Sequence, residues 1–195
     1  MNETATAYRS RRPPRQSAEE RRAAIVAAGM DEFAKHGLAG AKVDTIADTA
    51  GVSQPYVYQL FGTKKDLFLA VVRLGFERTR IAFEDAVRAF EAGEPSIACD
   101  SAMGAMGIAY GRLLEDRTLL LVQLQAYAAC SDPEVQATVR SEFDRLHRYV
   151  ATTTGATPDE VHHFFAEGML MNVGAAVRLP GESLDWTTDH QGGAH

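Results

Sequence analysis

The chain has 195 residues, a formal net charge of −6 and only two cysteines, Cys99 and Cys130. It is long enough for one sizeable core or two small ones, and neither cysteine sits at a metal-binding spacing. The N-terminus is polar and Arg-rich rather than a secretory signal, and the apolar run Leu119 to Val122 is far too short to span a bilayer. These features predict a cytoplasmic protein with no membrane association.

Charge is unevenly placed. Residues 1–66 hold ten Lys/Arg against eight Asp/Glu, whereas residues 67–195 hold ten against eighteen. The basic excess at the front can meet nucleic acid locally, although the whole chain is acidic.

Residues 1–16, with Pro13, Pro14 and Arg9, Arg11, Arg12 and Arg15, are expected to form a flexible basic arm. Ser17 and Glu20 make a capping-box pair that opens a first helix. Ile25, Ala28, Phe33 and Ala34 are its inner face, and it ends near Gly37. A short helix follows, with Ile46, Ala47 and Ala50 on one side. Gly51 can reverse the chain in the left-handed conformation. Ser53 is placed to cap the next helix, and Pro55 lies in its first turn. Val57 and Leu60 of that helix point to a core, while Gln54, Tyr56, Tyr58 and Gln59 lie on the other side.

Thr63 and Asp66 form another capping pair, and a long helix carrying Leu67, Phe68, Val71, Val72, Phe76, Phe83 and Val87 runs to Glu91, about 40 Å at 1.5 Å per residue. Gly93 and Pro95 stop it. A helix between about Ser96 and Glu115 carries Met103, Met106 and Tyr110. Residues 117–130 are apolar nearly all round, as in a buried helix. Val135, Val139, Phe143, Leu146 and Val150 form one stripe of a helix from Pro133 to Gly155. The last helix starts at Thr157-Pro158-Asp159-Glu160 and runs to about Leu179. No alternating β-branched run occurs, so the predicted fold class is all-α, with residues 182–195 as a loose tail.

Ile46-Ala47, Ala50-Gly51-Val52-Ser53, Tyr58, Phe61, Lys64 and Asp66-Leu67, at this spacing, resemble the helix-turn-helix of TetR-family transcriptional regulators. The resemblance covers residues 17 to 68. Two positions depart from it. Lys42 stands where the family usually caps the first motif helix with Thr, a task Asp44 could take over, and Gln59 stands where His is common. The resemblance implies an N-terminal DNA-binding head (17–66) joined by a long helix to a C-terminal ligand-binding and dimerisation domain (67–181). The implied function is a transcriptional regulator, a repressor released from its operator by a small apolar or aromatic effector. The implied partners are double-stranded DNA and a second copy of the chain.

Residue chemistry suggests who does what. Gln54, Pro55 and Tyr56 at the front of the second motif helix are placed to reach base edges, since that end of a recognition helix enters the groove deepest. Tyr58 and Lys64 suit phosphates, Gln59 is a further backbone candidate, and the four arm arginines suit backbone or minor groove. Met103, Met106, Tyr110, Tyr127, Phe165 and Met169 could line a ligand chamber, because thioethers and aromatics adapt to apolar molecules; the plain alternative for each is core packing. Phe164, Gly168, Asn172 and Ala175 are expected at a helix–helix dimer interface.

Catalysis has little support. His162 and His163 lie near Glu160 and Glu167, but neighbouring helical residues point about 100° apart, and no His-Glu-x-x-His pattern occurs. No catalytic residue, metal or cofactor is expected. The competing readings are a ligand-independent DNA-binding dimer that recruits a partner protein and, more distantly, a small helical enzyme.

Overall fold

The computed structural model describes residues 17–95 and 99–179, all of whose regular structure is helical. Eight helices follow in order: α1 Ala18–Gly40, α2 Val43–Thr49, α3 Gln54–Phe61, α4 Lys64–Glu91, α5 Ala102–Leu113, α6 Arg117–Ala128, α7 Pro133–Thr154 and α8 Pro158–Val177. The arm with Arg9, Arg11, Arg12 and Arg15, and the tail from residue 182, lie outside the described residues. No helix among those described is long and apolar enough to cross a membrane.

Local chemistry sets most of the boundaries. Ser17 and Glu20, Thr63 and Asp66, and Thr157 and Glu160 each form a reciprocal capping box, so three helix starts satisfy two orphan amides apiece. Asp132 caps α7 through the amides of Glu134 and Val135. Gly51 and Gly155 take the positive φ expected of chain-reversing glycines.

One expected cap is absent and another is shared with a distant residue. Ser53 makes no side-chain hydrogen bond to α3. Asp44 Oδ1 accepts from the Thr45 amide at 2.8 Å and so serves an orphan amide of the first turn of α2 from within the helix; the Lys42 amide donates to Glu32 Oε1 at 2.9 Å. A buried acid reaching over from α1 thus holds the amide of the N-cap residue, as the acid of a capping box does.

The head is not a separate globule. Ile25, Phe33, Ile46, Val57, Leu67 and Phe68 form its core, with Phe33 and Phe68 packed edge to face at 5.0 Å. The same apolar cluster continues into Leu119, Val122 and Ala126 of α6 and Val135 and Val139 of α7. A second cluster, built on Phe83, Val87, Met106, Tyr110, Leu146 and Val150, lies farther along α4. α6 is central: from Thr118 to Tyr127 none of its residues is fully exposed.

Candidate nucleic-acid interface and internal cavity

α2 and α3 form the helix-turn-helix. Val43, Ile46 and Ala47 bury one side of α2, the turn passes through Gly51 at φ +67°, and Val57 and Phe61 anchor α3. That anchoring leaves Gln54, Pro55, Tyr58 and Gln59 exposed on α3, with Tyr58 one of the exposed large hydrophobic side chains among the described residues. A short helix presenting an amide, a phenol and a second amide outward has the donors and acceptors needed to read a major groove.

Two expected DNA-contacting residues are more committed to the fold than the sequence suggests. Tyr56 is half-buried, with the Arg21 guanidinium 5.6 Å from its ring centroid. Lys64 Nζ donates to the carbonyls of Ala39 at 2.9 Å and Ala41 at 3.1 Å. It thereby satisfies backbone oxygens at the end of α1, and only one of its three hydrogens is left for a phosphate. Lys42, treated in the sequence only as a departure, is exposed at the start of α2. Its place beside the amides of a helix N-terminus was the available signal that it could serve phosphate instead.

Between α4, α5, α6, α7 and α8 lies a cavity of about 90 Å³. Phe76, Phe83, Phe143, Phe164 and Phe165 supply aromatic walls, and Leu119, Val122 and Ala126 form the α6 side. Tyr110, Tyr127, Phe165 and Met169 line it, as the sequence suggested. Met103 and Met106 do not. Met106 is fully buried in the second core cluster and Met103 packs against the same cluster, so both are core residues.

One end of the cavity is polar. The Tyr110 hydroxyl lies 2.7 Å from Asn172 Oδ1 and 3.2 Å from Gln123 Oε1, and Gln123 Nε2 donates to the Tyr127 hydroxyl at 2.8 Å. Burial holds both phenols in their neutral form: it pushes Tyr127 up to about 12 and raises Tyr110 as well.

The expected dimer residues have partners within their own chain, while Phe164, Gly168 and Ala175 stay partly exposed. Asn172 is fully buried against Tyr110. Gly168 faces the Tyr110 ring, where an added Cβ would sit 3.5 Å from Cε1. Phe164 packs on Phe83 with ring centroids 5.7 Å apart. The Ala175 carbonyl lies 3.5 Å from Arg117 Nη1. Small residues on α8 therefore admit α5 of the same chain. The exposed row of α8 is Ala166, Met169, Val173 and Val177 instead. His162 and His163 are exposed, and His163 Nε2 lies 3.1 Å from Glu167. No cluster of three potential metal ligands occurs among the described residues.

Comparison with known proteins places the head. Residues 25–71 match the family model described as bacterial regulatory proteins, tetR family. The HTH-type transcriptional activator FasR of Mycolicibacterium smegmatis is 42% identical over 64 residues, which is 33% of this chain and 29% of FasR. The HTH-type transcriptional repressor SCO4008 of Streptomyces coelicolor is 41% identical over 54 residues, 28% of each chain. The match thus spans less than a third of either curated relative. In fold the likeness is wider. The TetR-like regulator LfrR of Mycobacterium smegmatis, crystallised with proflavine, superposes with a TM-score of 0.58 at 22% identity, over 84% of this chain and 90% of that one. Residues 25–71 thus match the tetR-family model, and the chain as a whole shares its fold with a TetR-like regulator.

Proposed function

We propose that this protein is a TetR-family regulator, a ligand-responsive DNA-binding repressor that reads its operator through α3 as a homodimer and leaves it when a small molecule fills the cavity. The observation that carries this reading is the double role of α6. Leu119, Val122 and Ala126 belong to the core shared with the DNA-binding head and also line the cavity. A ligand that displaces α6 therefore acts on the packing of the head. It can do so only to the extent that it binds one arrangement of these helices better than the other. LfrR with bound proflavine is a protein of the same fold holding an aromatic molecule. FasR is an activator and SCO4008 a repressor, so the sign of regulation is part of the proposal.

Gln54 is the freely exposed base reader on α3, and Pro55, Tyr58 and Gln59 flank it. Selection of bound sequences from a random DNA pool tests the assignment. The wild-type protein is expected to return a two-fold symmetric site with half-sites roughly 34–36 Å apart, or a multiple of that. Gln54→Ala is expected to relax one or two positions per half-site, by about 1–3 kcal/mol of discrimination. An unchanged motif would remove Gln54 from the reading face, and recovery of no sequence by the wild type would reject the regulator.

A further inference from the structure

The polar end of the cavity has hydrogen-bonding capacity that the protein does not use. Tyr110 has one hydroxyl hydrogen and faces two carbonyl oxygens, Asn172 Oδ1 and Gln123 Oε1. Whichever takes the hydrogen, the other remains an open acceptor. The Tyr127 oxygen accepts from Gln123 Nε2, and no acceptor for its own hydrogen occurs among the described residues. A spare acceptor and a spare donor thus sit side by side at the wall of an otherwise apolar chamber.

We propose that the cavity takes a small uncharged phenol, whose hydroxyl accepts from Tyr127 and donates to the open carbonyl at Gln123 while its ring packs among Phe83, Phe164 and Phe165. This rests on the reading of the cavity as an effector site. A hydroxyl offers both functions on one atom at one place. A ketone accepts but cannot donate, and an ammonium donates but leaves the Tyr127 hydrogen unmatched. A carboxylate would lie where no lining residue is cationic, and burying an unpaired charge is costly. The environment that keeps both tyrosines neutral keeps the ligand neutral too. The rings already present meet edge to face, Phe83 with Tyr110 at 6.0 Å and Phe164 with Phe165 at 5.5 Å, an arrangement that a further aromatic ring extends. At about 90 Å³ the space suits a single ring once the flexible Met169 and Met171 side chains yield.

Calorimetric titration of the full chain at pH 7 with four compounds of one shape tests this: p-cresol, toluene, 4-methylbenzoate and 4-methylbenzylammonium. The expected result is p-cresol tightest, about tenfold over toluene. Tyr127→Phe should remove that advantage and leave toluene affinity unchanged. Gln123→Leu should do the same, and it serves if the first variant does not fold. Equal binding of cresol and toluene would overturn the hydroxyl assignment while leaving the chamber standing. Tightest binding of the ammonium would overturn it in favour of a cation site at Glu167, the one charged lining residue, and tightest binding of the benzoate would overturn it outright. If none of the four binds, the chamber reading itself fails and the assignment falls with it.

Discussion

The Lys64 ammonium gives two hydrogens to the carbonyls of Ala39 and Ala41, at the end of a helix where backbone oxygens lack partners and partial negative charge collects. Removing it exposes both oxygens, so Lys64→Ala is expected to lower unfolding free energy by about 1–2 kcal/mol. A pure phosphate contact would behave differently: loss of such a residue lowers the salt slope of DNA binding by about one unit with no change in stability. Urea unfolding and a salt titration on the same variant separate the two. A drop in stability with a slope change below one unit is expected; an unmoved unfolding midpoint would return Lys64 to the phosphate role. Tyr127 carries a second expectation at this scale. Its folded-state pKa, pushed up to about 12, lies above its ordinary value near 10. Above pH 10 the unfolded chain loses this proton while the folded one keeps it, so stability falls as pH rises from 10 to 12, by about 2–3 kcal/mol. In alkaline urea titrations, Tyr127→Phe is expected to flatten that decline. A wild-type profile level between pH 10 and 12 would place the phenol in water.

At the scale of elements, what was legible in the sequence was what depends on near neighbours. The capping boxes at Ser17 and Thr63, the helix start at Thr157, the left-handed Gly51, the helix end at Gly155, the apolar stripe of α7 and the length of α4 all follow from residues within a few positions of one another, and each stands as expected. The errors came where a distant element decides. Glu32 of α1 joins Asp44 in serving the start of α2. Gly168 of α8 meets the Tyr110 ring of α5 within the chain, a contact that its spacing does not announce, and Met106 is core because α4 and α7 enclose it. Helical periodicity identifies which residues share a face, but not which helix that face meets. Gly37 shows the same limit. A helix end was expected there, but not the reason that the position must be glycine. Its φ of 63° and ψ of −176° fall in a region essentially closed to other residues, and an added Cβ would sit 2.5 Å from Gln125 Oε1 of α6. Gly37→Ala is therefore expected to cost about 1–3 kcal/mol from backbone strain. Adding Gln125→Ala removes only the clash, so the double variant should recover a minor part in thermal or urea unfolding. Full recovery would assign the whole cost to side-chain contact and none to the backbone.

At the scale of the whole molecule, α8 carries an apolar row that no other part of the described chain covers. Val173 is 52% exposed, Val177 62% and Met169 37%, and with Ala166 they recur at steps of three or four, which places them on one helical face. Exposed apolar rows of this kind mark an interaction surface. The neighbouring helix, α7, leaves Arg140, Asp144 and Arg148 exposed, side chains suited to a polar rim around an apolar centre. A single α3 reads too few base pairs for useful specificity, so a symmetric pair of heads is the natural reader. A two-fold axis beside α8 would set the same row against its own copy, as an isologous contact requires. Val173→Glu puts a charge on each side of that axis, so the two carboxylates face each other as the interface closes. The expected outcome is a monomer at micromolar concentration by sedimentation, with near wild-type thermal stability of the fold beyond what dimerisation contributes, because Val173 is exposed within its own chain. Operator affinity should fall with the dimer, while p-cresol binding persists, since Val173 does not line the cavity. A second substitution on the buried side, Gly168→Leu, provides the contrast. It drives a branched side chain into the Tyr110 ring and is expected to lower stability by about 1–3 kcal/mol and to disturb ligand binding without being a specific dimer breaker. If Val173→Glu remains a dimer, the α8 row is not the interface, and the partner surface must lie elsewhere on the molecule.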